Sequence, residues 1–147
     1  MTVEHDDDLI ALSRVARVVA DARDAMLAEV RPGVTTGELD AIGRDVLRAG
    51  GARSAPRLAY GFPGWTCISI NDEAAHGVPA LSRHLVEGDL VNVDVSAELD
   101  GYWADTGASA PVGRVSAERS RLVEATRAAQ RDAMSAEARA GLAGFVM

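Results

Sequence analysis

Two aspartates, Asp94 and Asp105, are the residues of this chain best placed to do chemistry together. They flank Asp100-Gly101, a strong signal for a two-residue hairpin turn between two strand-like runs. With that turn, Asp105 faces Ser96 across the hairpin, and Asp94 is its diagonal neighbour at roughly 7–8 Å. Two converging carboxylates repel each other unless a cation lies between them or one is protonated. The pair therefore predicts a site for one or two divalent metal ions, the alternative being two ordinary solvated hairpin residues.

The first strand of this hairpin has one apolar face and one polar face. Val91, Val93 and Val95 alternate along it, and side chains on a strand point to opposite faces with period two. The valine stripe is expected to pack on a core. Asp94 then faces a polar cavity or solvent, and Trp103 of the second strand shares that face and is positioned to cover the site.

The remaining elements follow from helical periodicity, capping signals and turn residues. Thr35 and Glu38 form the pattern of a helix-capping box. Helices and antiparallel strands in separate runs predict an α+β fold. The predicted order begins with a helix over 9–30, a helix from Thr35 to about Ala49 and a loop over 53–64. Strands follow over 65–71, 90–99 and 102–110, and a last helix runs from Ser116 and ends at 140–144. The apolar side of this last helix carries Leu122, Val123, Ala125, Ala129 and Met134.

Composition limits the class of protein. The chain has 147 residues, 48% of them apolar, which is enough for one domain spanning residues 1–147 with an acidic tail at residues 1–8. It has one cysteine and a net charge of −7, and its sequence shows neither a membrane-span pattern nor a basic secretory leader. We therefore expect a cytoplasmic protein that binds neither nucleic acid nor membrane.

Five short motifs then occur in a specific order. They are Gly61-Phe62-Pro63, Cys67-Ile68-Ser69-Ile70-Asn71, His76-Gly77-Val78-Pro79, the strand over 88–95 and Ala104-Asp105-Thr106. In order and spacing this set resembles type I methionine aminopeptidases of the pita-bread metalloaminopeptidase superfamily. The resemblance implies the N-terminal half of a pita-bread fold, an antiparallel sheet with helices packed on one face.

The resemblance also implies roles for individual residues. Asp94 and Asp105 match two of the family's five ligands to two divalent metal ions, which could be Co, Mn, Fe or Zn. The other three ligands, one His and two Glu, are expected beyond the end of this chain. His76 matches the residue that binds the substrate amide and stabilises the tetrahedral intermediate. Phe62 and Cys67 match the wall of the pocket for the N-terminal methionine.

Each of these residues also has a simpler interpretation. His76 could be a solvated loop histidine, and Cys67 could be a small buried apolar residue, the usual environment of a free cysteine. Thr106 could hydrogen-bond a ligand carboxylate or only favour the strand. Asn92 is slightly better explained as an ordinary polar residue than as a group that orients Asp94.

Three functional hypotheses remain open from the sequence. The first is metal-dependent hydrolysis of the first peptide bond to remove the N-terminal methionine from new proteins, by a chain truncated before three ligands. The second is a catalytically inactive half-domain that binds a partner or assembles with another chain, and self-association through the uncovered half-domain face is expected. The third is a proline-specific aminopeptidase of the same fold, which the Cys67 and His76 motifs disfavour.

Overall fold

The structure is a computed structural model that describes residues 3–139. It contains four helices and four strands within that range, and it confirms the predicted α+β class. In chain order the elements are α1 (Asp6–Ala28), α2 (Thr36–Ala49), β1 (Arg53–Ser54), α3 (Ala55–Tyr60), β2 (Cys67–Ile70), β3 (Leu90–Leu99), β4 (Tyr102–Pro111) and α4 (Ala117–Arg139).

Strand β3 is the central strand of the sheet, and it forms a hairpin with β4. Asp100 and Gly101 have φ angles of 53° and 87°, the left-handed conformation that a tight hairpin turn needs at both positions. Leu99 pairs with Tyr102 and Ser96 with Asp105, which confirms the predicted register. Asp100-Gly101 therefore decides which residues face each other along the entire hairpin.

The other edge of β3 carries two short strands that bring distant segments to the hairpin. Ser54 of β1 pairs with Ala97, and Cys67 of β2 pairs with Asp94, both in antiparallel orientation. Because β4 pairs with all ten residues of β3, β1 and β2 share the opposite edge. Asp94 consequently lies between β2 and β4.

The apolar face of the sheet is covered by α1 and α2. Val15, Val19, Ala22 and Met26 of α1 are buried, as are Leu39 and Leu47 of α2, in one core with Val91, Val93 and Val95. The predicted capping box forms at the start of α2, where the Glu38 amide donates to Thr35 Oγ1 and the Thr35 amide donates to Glu38 Oε2. The polar face of β3 therefore lies on the side of the sheet away from this core.

Helix α1 begins at Asp6, so the predicted helix start at Leu9 was wrong by three residues. The carboxylate of Asp8 accepts hydrogen bonds from the amides of Glu4 and His5, which are otherwise without helical partners. Tyr102 also donates its hydroxyl to Asp8 at 2.6 Å. The start of this helix is therefore held by local bonds to Asp8 together with a contact from a residue far away in sequence.

The predicted loop over 53–64 was also wrong, because it contains β1 and α3. Pro56 lies in the first turn of α3, where its missing N–H costs nothing, and Gly61 ends the helix with a φ of 69°. The segment after α3 is tied to α2 by Asp40, whose Oδ1 accepts from the amides of Trp65 and Thr66. These bonds set the start of β2.

Helix α4 follows the predicted position but not the predicted burial. Val123 is buried, whereas Leu122 and Met134 are exposed at 61% and 63%. The apolar side predicted for α4 is therefore mostly uncovered in the described part of the chain. The predicted end of α4 at 140–144 and the apolar tail at 145–147 lie outside the described residues.

Candidate functional site

Asp94 and Asp105 lie on the face of the hairpin that points away from the valine core. Asp94 is opposite Gly107 and half-buried, whereas Asp105 is opposite Ser96 and exposed. The diagonal relation predicted from the turn is therefore present. Both side chains border one cavity, so the two carboxylates share a common space.

The carboxylates of Asp94 and Asp105 repel each other when no cation is bound between them. Burial raises the pKa of Asp94 to about 6, and the negative charge of Asp105 adds to that rise. His76 acts in the opposite direction, because its positive charge favours the ionised carboxylate. A site that resists holding two negative charges gains stability from a bound cation, so the arrangement fits a divalent metal.

The donor set is only part of a coordination shell. Within residues 3–139, no group of three or more His, Cys, Asp or Glu side chains could hold a metal ion. His84 lies elsewhere, with its Nδ1 3.3 Å from the carbonyl oxygen of Gly33. Asp94 and Asp105 could offer two carboxylate groups to a metal ion, and a tightly bound site would need further donors.

A cavity of about 350 Å³ opens beside the two aspartates. Its wall is mainly apolar and comes from α3, β2, the hairpin and the loop after β2. The lining residues are Ala55, Pro56, Ala59, Tyr60, Cys67, His76, Asp94, Ser96, Trp103, Ala104 and Asp105. Four of the five predicted site residues thus meet at one cavity, and Phe62 does not line it.

His76 is held at the cavity by the glycine that follows it. The amide of Ile68 donates to the carbonyl oxygen of Gly77 at 2.9 Å, and the Gly77 amide donates to Ser69 Oγ at 3.1 Å. His76 itself has a φ of 55°, and its ring centroid lies 6.4 Å from that of Tyr60. The loop is therefore docked on β2, and this docking places His76 at the same cavity as Asp94.

Phe62 supports the cavity from behind. It is 8% exposed and makes an edge-to-face contact with Tyr60 at a centroid distance of 6.1 Å. Tyr60 is the residue that reaches the cavity wall. Phe62 therefore acts on cavity shape through Tyr60.

Cys67 lies next to Asp94 and is 5% exposed. Burial raises the pKa of its thiol to about 11, and the charge of Asp94 contributes to the rise. The thiol is thus neutral near pH 7, which suits neither a nucleophile nor a metal ligand. A neutral polarisable sulfur in an apolar wall suits contact with another thioether or alkyl group.

We expect Cys67 to be almost unreactive toward a disulfide reagent at about pH 8 while the chain is folded. Only the thiolate reacts, and both burial and the raised pKa reduce its population and access. The measurement is the rate of thiol release with Ellman's reagent, in buffer and in denaturant. Denaturant should raise the rate by about 100-fold or more, and equal rates would contradict this environment.

Several residues of the cavity were not singled out as site residues from the sequence. Ala55 and Pro56 fell inside the predicted loop, and Ser96 was noted only as the partner of Asp105. The signal for α3 was present, since Pro56 near a helix start and Gly61 after its end are typical of a short helix. Trp103 lines the cavity on the predicted face and is 47% exposed.

Two other polar residues of the hairpin are engaged elsewhere. Thr106 accepts a hydrogen bond from Arg23 Nη1 of α1 at 2.7 Å, so it lies on the helix side of the sheet. Asn92 donates to Ser109 Oγ at 3.1 Å. Neither side chain orients Asp94, which is the outcome favoured for Asn92.

Comparison with known proteins gives consistent matches. A family model described as Metallopeptidase family M24 matches residues 10–145. "Methionine aminopeptidase 2" of Bacillus subtilis is 50% identical over 113 residues, which cover 77% of this chain and 45% of that protein. These matches confirm the predicted resemblance. The chain spans about half the length of the curated relatives it matches.

Solved structures agree on the fold. The crystal structure of methionine aminopeptidase from Rickettsia prowazekii has a TM-score of 0.82 and 32% identity, and the match covers 88% of this chain and 52% of that one. Prolidase from Pyrococcus furiosus has a TM-score of 0.73 and 20% identity over 88% of this chain and 36% of that one. The second likeness concerns the fold alone. No helix within residues 3–139 is both long and apolar enough to cross a membrane.

Proposed function

The chain belongs to metallopeptidase family M24, and from that premise we propose that it takes part in metal-dependent removal of the N-terminal methionine from new proteins. One observation carries this proposal. Asp94 and Asp105 converge at a mainly apolar cavity that also presents His76 and Cys67. Relatives named methionine aminopeptidase, at up to about half identical residues, support the same reaction.

Two divalent metal ions are the cofactors we propose. Asp94 and Asp105 would hold them, because carboxylate oxygens bind Co, Mn, Fe and Zn without selecting one. When bound, such ions supply an activated water for hydrolysis near neutral pH. The raised pKa of Asp94 supports this assignment, because burial and the charge of Asp105 raise it and a bound cation would offset both effects.

The chain's own residues would position the substrate. The methionine side chain would enter the cavity against Cys67 and Tyr60, with Phe62 behind Tyr60, which places the first peptide bond near the two aspartates. His76 would donate a hydrogen bond to the carbonyl oxygen on which negative charge develops. Its docked loop keeps this donor in place before the substrate arrives. Because new proteins are the substrates, we expect the reaction in the cytoplasm.

A second candidate is an assembly module, and the incomplete donor set favours it. Two carboxylates converge at the cavity, and within residues 3–139 no group of three or more His, Cys, Asp or Glu side chains could hold a metal ion. In this case another polypeptide, including a second copy of the chain, supplies the remaining ligands. Where that polypeptide is a second copy of the chain, self-association becomes a requirement for activity.

The test is methionine release from a Met-Ala-Ser peptide, with Mn²⁺ or Co²⁺, over a series of chain concentrations. The matched control is Asp94→Ala, prepared in the same way. Release that the control lacks supports the proposed reaction, and a specific activity that rises with concentration indicates self-assembly. No release above the control at any concentration would refute activity of the chain by itself and leave the assembly module.

A further inference from the structure

Ser96 and Asp105 form a cross-strand pair inside the candidate site. They are directly opposite each other in the hairpin, and Ser96 Oγ donates a hydrogen bond to Asp105 Oδ1. Ser96 is half-buried and lines the cavity, whereas Asp105 is exposed. The bond therefore joins a half-buried strand residue to an exposed carboxylate at the rim of the cavity.

Asp105 has a physical reason to turn away. Its charge faces that of Asp94 across the shared cavity, and two like charges placed in this way repel each other. An exposed aspartate also has several rotamers of similar energy. Repulsion and rotamer freedom together favour a carboxylate that points to solvent, unless a donor on the cavity side holds it.

We propose that Ser96 is a positioning residue that holds the Asp105 carboxylate toward Asp94. The hydroxyl occupies one carboxylate oxygen and leaves the other free to bind a divalent cation. Such outer hydrogen bonds to a ligand carboxylate are typically worth 10- to 100-fold in metal affinity. This inference rests on the proposed metal-dependent function, and the sequence predicted only that Ser96 and Asp105 face each other.

The same hairpin offers a matched control. Ser109 of β4 also makes a cross-strand bond on this face, as the acceptor for Asn92 Nδ2 at 3.1 Å, but it does not line the cavity. Ser109→Ala therefore removes one hydroxyl from the hairpin without touching the site. Ser96→Thr keeps the hydroxyl and adds a β-branch that a strand accepts readily.

The experiment is a Mn²⁺ titration of the full chain, followed by paramagnetic broadening of the amide signals next to Asp94 and Asp105. This method measures weak binding, which two carboxylates give. Ser96→Ala should bind Mn²⁺ about 10- to 100-fold more weakly than the parent chain. Ser96→Thr should restore most of the affinity, and Ser109→Ala should match the parent.

A second readout follows Asp105 itself in the chelator-treated chain. Three-bond couplings to its β protons should indicate one side-chain rotamer in the parent and in Ser96→Thr, and averaged rotamers in Ser96→Ala. Parent-like affinity and couplings in Ser96→Ala would overturn the positioning role alone. A parent chain that binds no Mn²⁺ would overturn the metal site and the proposed function, whereas averaged couplings in the parent would overturn the positioning role.

Discussion

Asp94→Asn should remove divalent-metal binding and at the same time stabilise the chelator-treated chain. The amide cannot replace the carboxylate as a ligand, so we expect metal affinity to fall by about 100-fold or more. Methionine release should be lost with it. The stability gain comes from removing a carboxylate whose pKa is raised to about 6 by burial and by Asp105.

The pH dependence of this gain has a definite sign. A raised folded-state pKa means that the folded chain binds more protons than the unfolded chain between the ordinary aspartate pKa and about 6. Stability of the chelator-treated parent therefore falls as the pH rises through that window. Asp94→Asn should match the parent near pH 4 and exceed it by about 1–2 kcal/mol above pH 7, after allowance for solvent screening of a half-buried group.

The measurement is chemical denaturation of both chains in EDTA across this pH range, with thermal melting as a check. A gain of this size corresponds to roughly 3–6 °C. The matched control is Asp100→Asn, the same substitution in the turn of the same hairpin, where Asp100 makes only an exposed ion pair with Arg14. A loss of stability in Asp94→Asn above pH 7 would show that Asp94 is satisfied by contacts other than a cation.

Gly77→Ala should detach the His76 loop from β2. A Cβ at Gly77 would lie 2.1 Å from the carbonyl oxygen of Ile68 and 2.9 Å from Ser69 Cα, and both are backbone atoms of a paired strand. Neither can move without breaking the sheet, so the loop must shift. We expect a loss of about 3 kcal/mol from the clash and the two broken hydrogen bonds.

The effect on the site should be about as large as the effect on the fold. A displacement of His76 by about 1 Å can cost about 100-fold in rate when its role is to meet developing charge. Hydrogen exchange at the Ile68 amide is the direct measurement, because that amide donates to Gly77 in the parent. Val78→Ala, an exposed change one residue away, is the control. Unchanged exchange and melting in Gly77→Ala would mean that the loop is not docked as described.

The hairpin shows why part of this site could be predicted from sequence. Asp100-Gly101 favours one turn type, and strand side chains alternate with period two, so the facing of Ser96 and Asp105 needs no distant contact. The capping box of Thr35 and Glu38 is equally local. Both predictions rest on bonds between residues that are few positions apart.

The failed predictions concern features that involve contacts between residues far apart in sequence. Tyr102 contacts the start of α1 through Asp8. Helix α3 forms part of the cavity wall, and the strand directly before it, β1, pairs with β3. Phe62 matches a family motif, but its contact with Tyr60 places it behind the wall. Periodicity marked an apolar side on α4, yet burial requires a neighbouring surface that the described chain does not provide.

The sequence by itself determined the family, the hairpin register and the candidate metal pair of Asp94 and Asp105, because these depend on local motifs and fixed spacing. The tertiary structure decided that Cys67 and His76 meet that pair at one cavity, and that Thr106 faces Arg23. It also decided the protonation preference of Asp94, because burial and a neighbouring charge exist only after the strands and α3 have packed together.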